Sequence, residues 1–274
     1  MVQAPRSAAV DRGMGVAIAF LAGAFALFFL LPFAGLVTRA IREGDTWELA
    51  TSGNARDALW LSLWTSTLTS ALAVLAGTPV AYLVSRSRFP GRSIVDALLD
   101  LPIVLPPTVA GVALLTAFGR RGILGEPVES WTGATFSFTT AAVVMAQALV
   151  AAPFYVRAAR AGFDGMDRQQ ERVAYTLGAS RTRAFFVVVL PQARPALMAG
   201  VVLCWARAMG ELGATLIFAG NLRGTTQTMP LAILEAFEGG AGLAGAVALS
   251  LSLLVVSLAV LWLFRAAGGR SAAS

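Results

Sequence analysis

Long apolar runs near 14–38, 58–84, 94–118, 138–158, 191–219 and 241–264 alternate with short polar segments along the 274-residue chain. A helix rises about 1.5 Å per residue, so each run can cross roughly 30 Å of hydrocarbon. The pattern predicts an all-α polytopic membrane protein of about six transmembrane helices. The polar stretch TRAIREGDTWELATSGNARD after the first run must leave the bilayer, and RSRFPGRS makes a tight basic turn after the second, on the opposite side. The first run is longer than the roughly 7–15 residues of a secretory apolar region, so it reads as an uncleaved span. No fixed-period repeat divides the chain: residues 1–13 form a tail, 14–264 a membrane domain and 265–274 a second tail.

Composition narrows the chemistry. The chain is 57% hydrophobic and 13% charged, lacks histidine, and carries only arginine among its 21 basic residues. Without histidine there is no Ser-His-Asp or Cys-His arrangement and the commonest metal ligand is missing. Without lysine there is no P-loop, so the chain does not bind ATP in that manner. Cys204 lies alone in an apolar run and forms no disulfide within the chain. No metal site and no catalytic set emerges: the chain is expected not to be an enzyme, and paired carboxylates suited to an intramembrane enzyme are missing too. Fourteen arginines fall on the N-terminal tail, 86–92, 157–194 and 265–270, against Arg39, Arg42, Arg56, Arg120, Arg121 and Arg223 on the other side. This asymmetry predicts cytoplasmic termini, and arginines beside apolar runs meet lipid headgroups rather than nucleic acid.

The charged loop at about 159–190 stands out. In ERVAYTLGASRTRAFFVVVLPQARP (171–195), Val173, Ala174 and Leu177 share one face of a short helix, with Arg172 and Gln169 elsewhere. Gly178 is placed to end that helix in the left-handed conformation, Ser180 to cap a second, and Pro191 with Pro195 to bend the chain before the fifth span. Two readings remain open on these residues: an interfacial helix resting on phospholipid, or a docking element for a soluble protein.

Other residues carry similar alternatives. Pro102, Pro106 and Pro107 interrupt the third run, either as a packing kink or where backbone faces a water-filled cavity, with Thr108 the nearest hydroxyl. Arg207 and Glu211, four apart in the fifth run, form an intrahelical pair or contribute to a substrate pathway; Thr215 is a further pathway candidate. Gly210 and Gly213 flank them and suit close helix packing. Ser62, Thr65, Ser66, Thr67, Thr69 and Ser70 suit helix–helix contact in the second span. GNLRGTTQTMP (220–230) reads as a glycine-rich turn.

The charged loop resembles the cytoplasmic coupling loop of ATP-binding-cassette importer permeases: Glu-Ala-Ala, three residues, Gly, nine residues, a branched apolar residue, one residue, then Leu-Pro. Ala174, Gly178, Val188, Leu190 and Pro191 match. The front departs, with Arg172 and Val173 at the Glu-Ala positions and Glu171 one place early. GTPVAYLVSRSRFPGRSIVDALLDLP (77–102), LLDLPIVLPPTVAGVALLTAFGRRGILG (98–125) and WARAMGELGATLIFAGNLRGTTQTMPLAI (205–233) resemble molybdate permease subunits and, less closely, sulfate ones, over about residues 55–240.

The resemblance implies a type I importer permease fold in a prokaryotic plasma membrane. It implies a homodimer, a partner ATPase that holds ATP and Mg, and an extracytoplasmic oxyanion-binding protein. Glu171, Arg172, Val173, Ala174, Leu177 and Gly178 would dock the ATPase, Thr108, Arg207, Glu211 and Thr215 would line the pathway or gate, and no cofactor would be bound by this chain. Molybdate is the cargo so implied, with tungstate, sulfate or thiosulfate as alternatives. An ion-coupled secondary carrier would instead need carboxylates on the pathway, for which Glu211, Asp96 and Asp100 are the candidates.

Overall fold

The computed structural model describes residues 7–44, 46–87 and 89–269, all of whose regular structure is helical. In chain order these are α1 (Ser7–Arg42), α2 (Thr46–Ala50), α3 (Gly53–Arg86), α4 (Arg92–Val104), α5 (Pro107–Phe118), α6 (Gly125–Thr132), α7 (Thr140–Asp164), α8 (Arg168–Thr176), α9 (Arg181–Ala184), α10 (Leu190–Met209), α11 (Gly213–Ala219), α12 (Met229–Glu238) and α13 (Gly242–Gly269). A π-helical turn, Phe185–Val189, joins α9 to α10. Five helices are long and apolar enough to span a membrane, and the α4–α5 pair brings the number to six.

The expected third and fifth spans are corrected. Residues 94–118 do not form one rod, because α4 and α5 meet at a 116° bend. Leu105 and Pro106 have extended ψ angles of 137° and 136°. Each precedes a proline, whose ring pushes the preceding residue out of the helical region. Pro102, by contrast, is carried inside α4.

The run at 191–219 is likewise divided, since α10 stops at Met209 and α11 restarts at Gly213. Nor do Pro191 and Pro195 end the helix, which is continuous from Arg181 to Met209. The π-turn accounts for this. Its wider winding lets the Leu190 N–H reach the Phe185 carbonyl, just where Pro191 would break an α-helical ladder.

Helices α3, α7 and α10 form the core. Small residues let them approach: a Cβ at Gly77 would meet Val156 Cγ2 at 2.9 Å, and one at Gly162 would meet Ala196 Cβ at 2.5 Å. Between them runs a buried polar seam, in which Gln147 donates from Nε2 to Thr65 Oγ1 (3.2 Å) while Thr69 donates to Gln147 Oε1 (3.1 Å). The hydroxyls of α3 therefore serve helix contact, as their spacing predicted. Helix α1 packs along α13, and Phe20, Phe25, Phe28 and Leu30 on it are exposed, as a lipid-facing helix requires.

Candidate functional site: a braced loop and two helix breaks

The segment that leaves the long helices is Gly165–Ser180, at the centre of the expected 159–190. Asp167 caps α8 by accepting from the Gln169 N–H at 2.8 Å. Gly178 ends the helix at φ +84°, a conformation that needs no Cβ, while the Ala179 N–H returns to the Ala174 carbonyl at 3.0 Å. Ser180 then accepts from the Arg183 N–H at 3.2 Å and starts α9. The predicted helix-turn-helix is present with each expected cap.

What the sequence did not reveal is how this element is held. The Glu171 carboxylate points into its own chain: Tyr82 and Tyr175 both donate to its Oε1 at 2.6 Å, and Arg86 Nε lies 3.3 Å from its Oε2. Burial opposes the charge, but the hydrogen bonds from Tyr175 and Tyr82 and the nearby Arg86 and Arg168 outweigh it, holding the Glu171 carboxyl below the usual carboxylate range. Tyr82 is itself wedged edge-on between Phe163 of α7 and Phe185 of the π-turn, with centroids at 5.5 and 4.9 Å. Arg168 donates to the Ser85 carbonyl at 2.9 Å, and Gln192 of α10 donates to Gln170.

Helix α8 is thus fastened to α3 and α10, and through Tyr82 and Ser85 of α3 it is backed by α7. The six candidate docking residues divide accordingly: Glu171 and Ala174 face inward, while Arg172, Val173, Leu177 and Gly178 face out. Leu177 is 83% exposed and Val173 50%, an apolar pair displayed on a charged loop.

The four pathway candidates gather at the other irregular place. Gly210 ends α10, and the Glu211 side chain bridges the break: its Oε2 lies 2.7 Å from Arg207 Nη1 behind it and its Oε1 accepts from the Ala214 N–H at 2.8 Å ahead. The expected Arg207–Glu211 pair forms, but across a break rather than along one helix face. Glu211 is buried and Arg207 partly so. Here the α10–α11 break meets the α4–α5 bend. A Cβ on Gly213 would lie 3.0 Å from Pro107 Cβ and 3.3 Å from the Thr108 N, and one on Gly111 would lie 3.0 Å from Ala214 Cα. The structure therefore brings Thr108, Arg207 and Glu211 to one junction, with the Thr108 side chain exposed. Thr215, one turn on, is wholly buried, and its hydroxyl makes no hydrogen bond among the described residues.

The other carboxylates of the third span are consumed. Asp96 holds Arg160 at 2.6 Å and Asp100 holds Arg157 at 3.2 Å, tying α4 to α7. At the far end of the bundle the 220–230 turn leads into α12, a helix the sequence pattern did not announce. Glu235 on α12 gathers Arg223, Gln227 and Asn221 from that turn. The Arg223 hydrogen bonds hold its carboxyl below the usual range. Ser62 of α3 completes the anchorage by accepting from the Met229 N–H at 2.7 Å.

A bundle with a braced surface loop and a pair of abutting helix breaks is the architecture of an importer permease. Residues 71–270 match the family described as binding-protein-dependent transport system inner membrane component, and the chain belongs to it. It is 41% identical over 217 residues to the molybdenum transport system permease protein ModB of Escherichia coli K12, spanning 76% of this chain and 95% of that protein. It is 42% identical over 236 residues to ModB of Mycobacterium tuberculosis, spanning 85% and 87%. A probable sulfate transport system permease protein, cysT of Chlorokybus atmophyticus, is 35% identical over 84% of this chain and 83% of its own length.

Among solved structures, a bacterial transporter that imports the acidic polysaccharide alginate superposes with a TM-score of 0.75 at 16% identity, over 95% of this chain and 97% of that one. The MetNI methionine transporter does so at 0.56 and 19% identity, over 78% and 92%. At such identities these show the fold alone: that of ATP-binding-cassette importer permeases.

The Glu171 brace has a definite pH signature. A carboxyl depressed on folding contributes stability that is complete above its ordinary value of 4.5 and is lost as pH falls through its lower folded value. Hydrogen exchange of residues 168–176, corrected for intrinsic rate, is expected to accelerate as pH falls below 4.5 in the parent chain. In Glu171→Gln it is expected to be fast already at pH 7 and to lack that acid step.

Proposed function

We propose that this chain is the membrane-spanning subunit of an ATP-binding-cassette importer for an oxyanion, molybdate first, working by alternating access. The reading is carried by one observation: α8 is fastened to α3 and α10, with α7 packed behind the fastening on α3, while offering Val173 and Leu177 outward. Similarity to several ModB proteins along most of both chains supports molybdate, and the sulfate relative keeps sulfate or thiosulfate as the second reading, with tungstate beside them.

In this mechanism two copies of the chain form the pathway. The arginine-rich segments, and with them both termini and α8, face the cytoplasm. A partner ATPase, which supplies the ATP and Mg this chain has no P-loop to hold, grips the outward face of α8 at Arg172, Val173, Leu177 and Gly178. Its closure moves α8, and the Glu171 brace passes the displacement to α3, α7 and α10 as nearly rigid bodies. The breaks at Leu105–Pro106 and Gly210–Leu212 are where the bundle yields, so Thr108, Arg207, Glu211 and Thr215 belong to the gate. An extracytoplasmic binding protein delivers the anion above the turn that Glu235 organises.

Ion coupling is disfavoured, because Asp96, Asp100 and Glu211 each hold an arginine rather than standing alone on a pathway. Backbone N–H and hydroxyl donors suit a passing dianion better than a fixed cationic trap, and Arg207 is neutralised by its partner.

Gly178→Val forces a branched residue to φ +84°, costing about 1–2 kcal/mol locally, and reshapes the docking face. In proteoliposomes holding the whole transporter, ATP hydrolysis is expected to persist while uptake falls at least about tenfold, with membrane insertion unchanged; a tenfold loss corresponds to about 1.4 kcal/mol of coupling. Coupled uptake at the parent rate would contradict the docking role. Calorimetric titration of the cognate binding protein with molybdate, tungstate and sulfate is expected to show molybdate bound more tightly than sulfate. The reverse order would move the assignment to a sulfate importer.

A further inference from the structure

Beneath α8, lined in part by the Glu171 brace, lies an open groove of about 750 Å³ to which the transport reading assigns no occupant. Its floor is Arg86, at the end of the α3 span, with a side chain only 12% exposed. Each of the three guanidinium nitrogens is closed over by protein and none makes an aligned hydrogen bond among the described residues, so the side chain must turn toward the groove to meet a ligand. The one nearby carboxylate, Glu171, contacts Nε from 3.3 Å while already accepting from two tyrosines. A guanidinium has five N–H donors, and leaving them unmade away from water is costly. Arg181 of α9 also lines the groove, so its fixed charges sum to a net positive.

The remaining walls are apolar. Leu83 and Phe186, 58% and 59% exposed, form the mouth, and Phe185 lies within. Buried cationic donors without aligned hydrogen bonds at the end of a membrane span, beside an exposed apolar wall, call for a molecule with an anionic head and a hydrocarbon body. A free phosphate gains nothing from the phenylalanines, and an apolar protein helix leaves the guanidinium unpaired.

We infer that this groove is a binding site for one anionic phospholipid, its phosphate on Arg86 and Arg181 and an acyl chain along Leu83 and Phe186. The lipid wedges between α3 and the π-turn, beside the Glu171 brace, and completes the hydrogen bonding of Arg86. The inference rests on the transport reading only for the leaflet, the cytoplasmic one. Its test needs no ATPase, so the two stand or fall separately.

The full-length chain, purified in a non-ionic detergent, is titrated with dioleoylphosphatidylglycerol or dioleoylphosphatidylcholine and bound lipid is counted by native mass spectrometry. One phosphatidylglycerol is expected to be retained in preference to phosphatidylcholine. Arg86→Gln and Arg181→Gln are each expected to weaken it about fivefold, as one arginine at a membrane surface warrants. Arg120→Gln, at an exposed arginine remote from the groove, is expected to change nothing. Arg181 lies in an exposed short helix, so its variant serves even if Arg86→Gln fails to fold. Equal retention of both lipids, or phosphatidylglycerol binding untouched by the substitution that folds, would overturn the proposal. So would displacement of the lipid by millimolar inorganic phosphate, which would mark a plain anion site.

Discussion

A carboxylate held inside an arginine-rich surface loop is the constraint on which the transport mechanism depends. Glu171 takes two phenolic hydrogen bonds and lies beside a guanidinium, so α8 cannot swing on its own without stranding charge. Through Tyr82 the hold extends into the aromatic packing of Phe163 and Phe185. Through Ser85, which donates to Asp164 at 2.6 Å, and through Arg160 it reaches α7 and then Asp96 of α4. Charges sparse in the chain as a whole are concentrated where helices must move together.

The opposite property appears at the two helix breaks. Lipid offers no hydrogen bonds, so backbone freed by a break must find partners within the protein. Glu211 supplies one by accepting from Ala214 while staying paired with Arg207, and the glycines at 111 and 213 let the two broken segments abut. One end of the bundle is therefore stiff and the junction is articulated. In the mechanism we propose, a push on α8 is passed on by the first and absorbed by the second, which gives a gate without a motor of its own.

Much of this was legible from residue order. Hydropathy located the long helices, and Gly178 and Ser180 are local signals whose meaning does not depend on the rest of the fold, so the shape of the turn followed from them. Pro106 and Pro107 announced a break of the third run but not its 116° angle, nor the packing of α5 on α11 beyond it. The π-turn was hidden because it compensates for Pro191, and a compensated defect leaves no trace in periodicity. Tyr82, 89 residues from Glu171, was beyond any local rule, whereas Tyr175, at i+4 from Glu171, was within reach of one. Helix α12 was missed because its ten residues are too few for a span and follow a glycine-rich turn.

The central claim is that α8 and α3 move as one body. Spin labels at Leu83→Cys and Thr176→Cys, in the transporter reconstituted with its ATPase and with Cys204 replaced by Ser, measure this by pulsed electron resonance. The account predicts that the distance between the two positions within one chain is the same with and without bound ATP, while the distance between the two copies at position 176 changes. A change within the chain of the same size as that between the copies would show that α8 pivots freely, and the brace would then have no part in transport.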